Sequence, residues 1–200
     1  MKTVANSNWL VTTLLLSTAL VLGASAKQTS FPGSKSETRS PDGRHTVRNL
    51  DDQHAQPAHS LTLIDSRSGK QHKIYEYGRH VDVLWSPASD ALVINDYGGS
   101  DFTRAVLFML PSGESQVNLW EELIHFLQSR GHPQSALGNG HVYFTVEKWL
   151  NDHEFLCKLT GYGPANRKGF TEHYVYEIGV GFRASETSSA AVPTEAGSKS

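Results

Sequence analysis

Cysteine is almost missing from this 200-residue chain: Cys157 is the only one. One thiol cannot staple the fold, and it excludes a Cys-rich metal cluster. Excess charge is missing too. Eighteen Lys and Arg against 20 Asp and Glu leave a formal net charge of −2 at pH 7. That balance gives no electrostatic basis for binding nucleic acid or an anionic membrane surface. After residue 26, no apolar run approaches the roughly 20 residues that cross a bilayer. No HExxH pair, GxxxxGK[ST] loop or G-x-S-x-G elbow occurs, so zincin, P-loop and α/β-hydrolase chemistry lack their required groups. No cofactor and no metal site is expected.

The first 26 residues are different. Lys2 opens a short polar start, Leu10 to Gly23 is apolar or small around Leu14-Leu15-Leu16, and Ala24-Ser25-Ala26 follows. A positive start, a short apolar centre and an A-x-A end make a cleavable secretory leader. The apolar centre is too short for a spanning helix, and no cysteine stands at the cut to take a lipid. The expectation is an exported chain, periplasmic or extracellular, beginning at Lys27 and not inserted in a membrane. Residues 27–37 are polar around Pro32-Gly33 and read as a flexible lead-in. Residues 183–200 are Ser, Thr, Ala and Gly with little to bury, and read as a disordered tail. Between them, 38–182 is one domain long enough for a real core.

Within that domain the pattern is β. Ten short runs rich in β-branched and aromatic residues fall into three groups: 45–50, 61–65 and 72–77; 81–85, 91–96, 105–110 and 115–118; 142–149, 154–160 and 173–178. The connections recur. Ser40-Pro41-Asp42-Gly43 is matched 46 residues on by Ser86-Pro87-Ala88-Ser89, and Ser68-Gly69 is matched 44 residues on by Ser112-Gly113. Trp85-Ser86-Pro87 is echoed by Trp149-Leu150-Asn151. A period of about 40–45 residues with four strands per unit is the spacing of propeller blades. The longer third interval holds a helix at 119–130, with Asn118 at its cap, Glu121 in its first turn and Gly131 at its end.

Ser-Pro-Asp-Gly before a β run, and Trp-Ser-Pro before another, resemble the repeats of TolB-type, WD40-like β-propellers of exported bacterial proteins. The resemblance covers roughly Thr38 to Leu110, and more weakly Trp149 to Ile178. It implies an all-β fold of antiparallel propeller-like repeats with one inserted helix. Three units are fewer than the four of a closed ring. A partial propeller, a ring completed by another molecule, and a sandwich are the three arrangements left.

Reactive groups are scattered. None of the ten histidines falls at metal-ligand spacing. Cys157 alternates with Phe155 and Leu159, as a core residue does. The segment Asn95-Asp96-Tyr97-Gly98-Gly99-Ser100-Asp101 gathers oxygen side chains and two glycines, which suits a β connection and equally a Ca²⁺ or ligand loop. Asp96, Tyr97 and Asp101 are its candidate ligand-binding residues. The loop 161–169 reads as a solvated hairpin. Trp85 and Trp149 read as core, while Tyr75, Tyr77, Tyr97, Tyr143, Tyr162, Tyr174 and Tyr176 would make a recognition surface where they stood on an outer sheet face. The functional expectation is an exported, non-catalytic binding or scaffold module acting through a protein partner or self-association. The alternative is a Ca²⁺-dependent carbohydrate binder or an enzyme built on 95–101.

Overall fold

Turn chemistry builds a four-strand unit three times over. The computed structural model of the chain describes residues 28–110, 113, 115–131, 141–163 and 166–185. After β1 (Gln28–Phe31), the first unit is β2 (Glu37–Arg39), β3 (His45–Asp51), β4 (His59–Asp65) and β5 (Gln71–Tyr77). The second is β6 (Val81–Trp85), β7 (Ala91–Asp96), β8 (Phe102–Met109) and β9 (Gln116–Asn118). Helix α1 (Leu119–Ser129) leads to the third: β10 (His141–Trp149), β11 (Glu154–Gly163), β12 (Asn166–Glu177) and β13 (Gly181–Ala184).

The recurring serines show why the units match. Ser40 N–H donates to the His45 carbonyl at 2.9 Å and its Oγ accepts from His45 N–H at 3.0 Å. Ser86 does the same to Ala91, at 2.9 and 3.0 Å. Each turn then needs a left-handed residue: Gly43 at φ +74° in the first, and Ser89 at φ +65° in the second. The third unit lacks the serine, and the Asn151 side-chain oxygen takes over, accepting from His153 and Glu154 N–H at 2.8 Å. In the first turn Asp42 accepts from Arg44 N–H and the Ser40 hydroxyl. Partial burial works against its charge, but these bonds hold its carboxyl near 2.

Strand order places the second unit in the middle. β2-β3-β4-β5 form one sheet, and β1-β6-β7-β8 with β9 form a second. The third unit joins that second sheet through a two-residue parallel contact of β10 with β8, Val142 to Phe102 and Tyr143 to Thr103. β6 and β7 are buried on both faces. Val83, Trp85, Leu92 and Ile94 pack toward Val47, Leu61 and Tyr77 of the first unit. Leu84, Ala91 and Val93 pack toward α1 and the third unit, among Leu119, Phe144, Trp149 and Cys157. The alternation along each strand therefore serves two cores, one per face. Cys157 sits in one of them with no exposed surface, and burial pushes its thiol up.

The fold is thus all-β, with antiparallel propeller-like units and one inserted helix. The helix is as expected: Asn118 Oδ1 accepts from Trp120 N–H at 3.2 Å, and Gly131 follows its end at φ +80°. Both edges of the expected domain are corrected. The lead-in 27–37 contains β1 and the start of β2. β1 pairs with β6 from Gln28 opposite Leu84 to Phe31 opposite Val81, and Phe31 is wholly buried. Its polar composition misled because Ser30 and Gln28 are bonded to a buried carboxylate and do not face water alone. At the far end, β13 begins before residue 183 and reaches Ala184, where Phe182 packs on Tyr176 at 4.8 Å. Residues 1–26, expected from sequence to be a leader, and residues 186–200 of the expected tail lie outside the described residues.

Candidate functional site

The 95–101 loop leaves β7 at the junction of all three units, and its side chains go to different neighbours. Asp96 is 2 % exposed. Its Oδ2 accepts from Tyr75 of the first unit at 2.8 Å and from Arg104 Nε and Nη2 at 3.2 and 3.1 Å. Tyr97 turns toward β1 and donates to Asp82 Oδ2 at 2.9 Å. Asp82 is itself buried and also accepts from Gln28 Nε2 at 2.8 Å and Ser30 Oγ at 2.5 Å, with His80 Nε2 3.3 Å away. Burial, and then the adjoining carboxylates, push the Tyr75 and Tyr97 hydroxyls up. Both therefore stay protonated donors.

Asp101 points the other way, to the third unit. Its carboxylate lies 2.8 Å from His141 Nδ1, and its backbone carbonyl accepts from Val142 N–H at 3.0 Å. The structure therefore does not bring Asp96, Tyr97 and Asp101 together. Asp96 is neutralised by Arg104, Tyr97 is committed to Asp82, and Asp101 alone is presented to solvent, with its side chain 66 % exposed. A Ca²⁺ ion in this loop would have to displace the Arg104 guanidinium from Asp96, against like charge. Among the described residues, no group of three or more His, Cys, Asp or Glu stands together as a metal site. Millimolar Ca²⁺ is expected to leave the melting temperature of the protein unchanged in a scanning calorimeter. A clear rise would restore the metal reading.

Beside Asp101 the structure assembles a feature that spacing alone did not show. His141 and Tyr143 on β10 and Tyr162 on β11 form a nearly parallel array of rings. His141 stacks on Tyr162 at 4.6 Å and 18°, and Tyr143 lies 6.2 Å from Tyr162. Register explains the stack, because His141 is the cross-strand partner of Tyr162. Tyr143 donates to the Ser100 carbonyl at 2.7 Å, so a loop of the second unit fixes a ring of the third. The Tyr162 hydroxyl, then its own modest burial and nearby charge, push Tyr143 up to about 12. Tyr162 is 52 % exposed, and Phe102, one residue past Asp101, is 49 % exposed.

A shallow groove of about 680 Å³ runs beside the rings, lined by Tyr143, Thr160, Gly161, Tyr162, Gly169, Phe170 and Thr171. Gly161 is required there: the Phe170 ring lies across it, and a Cβ would stand 2.4 Å from that ring. Tyr174 and Tyr176 are not part of this surface, since they face the core against Phe126 and Phe155. Of the tyrosines considered from sequence, Tyr143 and Tyr162 are the two on this face. The stack of His141 on Tyr162 was legible only once the β10–β11 register was known.

Fold and site together define an all-β protein of stacked, propeller-like units that presents an aromatic face where the second and third units meet. No family model and no curated protein matches the sequence. Among solved structures, the chain is similar to the β-propeller domain of the Trilobed protease from Pyrococcus furiosus. The TM-score is 0.49 and the identity 14 %, over 76 % of this chain and 43 % of that one. The chain therefore spans less than half the length of that neighbour.

Proposed function

We propose that this is an exported, non-catalytic binding module of TolB-type repeat architecture, which engages a protein partner through the face formed by Asp101, His141, Tyr143 and Tyr162. One observation carries the reading: an exposed tyrosine, Tyr162, is held in contact with the half-buried Tyr143 and His141 at a junction between units. Tyrosine gives a large contact area for little lost rotamer entropy, which is why it is enriched at protein interfaces. The rings are tied by Ser100 and Asp101, so little ordering is left to do on binding. The other exposed faces are of a different kind. The first sheet carries the solvent-exposed Arg48–Glu37 ion pair at 3.2 Å.

A photo-crosslinking residue at 162 should give a discrete protein adduct in the exported chain. The same residue at 180, where Val180 is 76 % exposed, should give none. Equal labelling from both positions, or none from either, would sink the reading. Export has its own test, an intact mass that starts at Lys27. Light scattering should return a monomer, and a stable dimer would make self-association the partner instead.

A further inference from the structure

We infer that the partner presents to this groove an extended, acceptor-rich segment in the polyproline II conformation with a basic residue beside it; the inference rests on the binding-module reading above. Strand addition does not suit the ring face. β10 is paired with β8 and β11 at this point, and β11 with β10 and β12, so the strands under the rings have no open ladder. A partner lying across them meets side chains.

What those side chains offer is specific. Tyr143, Tyr162 and Phe170 form aromatic walls along a groove that is open and shallow, the form in which proline-rich segments dock. Thr160, Thr171 and Tyr162 bring hydroxyl donors to the same groove. A polyproline II chain makes no internal hydrogen bonds, and its prolines carry no N–H, so it brings free carbonyls to such donors. Its backbone is also already extended, which keeps the ordering cost low on a surface too shallow to enclose a ligand.

Charge completes the match. The seven lining residues carry no charge, and the exposed carboxylate next to the rings is Asp101, whose Oδ1 is engaged by His141 Nδ1 at 2.8 Å and by the Ser100 hydroxyl. Farther along the face, Lys158 and Glu147 are 3.9 Å apart and offset each other. A lysine or arginine flanking the prolines is the complement that Asp101 calls for.

The test uses the mature full chain and two fluorescent peptides, oligoproline with and without an N-terminal arginine, with a Gly-Ser peptide of equal length as control. Anisotropy should show both proline peptides binding and the control not. Tyr162→Ala should weaken both by about tenfold or more. Asp101→Asn should weaken the arginine-bearing peptide about threefold and leave the plain one unchanged, an effect that also disappears at high salt. Thr160→Val is a second groove variant, milder than loss of a ring, and should weaken both. Each variant is compared at a melting temperature matching the parent. Equal binding of the Gly-Ser control, or indifference to both Tyr162→Ala and Thr160→Val, overturns the inference. So does binding of a neutral hexasaccharide with no binding of oligoproline, which would keep the face as a binding site for another ligand class. A protein adduct at residue 162 with no peptide binding would likewise reject this segment chemistry and leave the protein-partner reading standing.

Discussion

Asn95→Ala should be among the most damaging single substitutions outside the apolar core. Asn95 ends the alternating run of β7 and is 2 % exposed. Its amide grips β10 like a strand: Nδ2 donates to the Val146 carbonyl at 2.8 Å, and Oδ1 accepts from Val146 N–H at 2.9 Å. β10 is open at this point because its parallel contact with β8 ends at Tyr143. A bulge between Val146 and Lys148 also interrupts its pairing with β11. Removing the amide leaves two buried backbone groups without partners, each costing about 1–3 kcal/mol. The expected loss is about 3 kcal/mol, or roughly 6–12 °C in melting temperature for a chain of this size. The damage should be local in its first effect, so exchange of the Val146 amide should accelerate before the first unit is disturbed. A shift below about 1 kcal/mol, the worth of an ordinary exposed hydrogen bond, would mean that Asn95 does not hold the third unit.

The second large effect belongs to Phe31. Its ring has no exposed surface and lies among Val47, Leu61, Tyr77 and Val81, so a four-residue strand closes the core between the first two sheets. Phe31→Ala should cost about 3–5 kcal/mol, the range for a fully buried phenylalanine, and chemical denaturation of the protein measures it directly. Ser30→Ala should cost less, about 1 kcal/mol, because Asp82 keeps Gln28 and Tyr97 as donors. A negligible effect of Phe31→Ala would return residues 28–31 to the loose lead-in that their composition suggests.

Those two residues also show where the sequence was readable. The repeat was legible because serine, glycine and tryptophan mark turns and strand ends at fixed spacing, and the bonds of Ser40 and Ser86 are the physical cause of that spacing. The helix was legible from its cap. β1 was not, because three polar residues and one phenylalanine cannot be told from a linker until the edge they pair with is known. β13 was hidden the same way, with Phe182 as its one strong apolar residue. At the site, Asp101 was found for its charge and Asp96 and Tyr97 for their neighbourhood, yet burial turns the last two inward. The clue to Asn95 lay in parity. Ala91, Val93 and Asn95 share a face, and an amide on a core-facing position demands a partner. The ring array depended on the pairing of His141 with Tyr162, two residues 21 positions apart whose register no local pattern fixes.

The account stands on the second unit being covered on both faces, with the binding face at its junction with the third. Residue-resolved amide exchange of the protein tests this most directly. Val81 to Trp85 and Ala91 to Asp96 should be the slowest amides of the protein, exchanging only with global unfolding. β5 and β13, at the two ends of the stack, should open earlier. If β6 and β7 exchanged as fast as β5, the three-layer arrangement would be contradicted, and with it the surface that the partner is proposed to read.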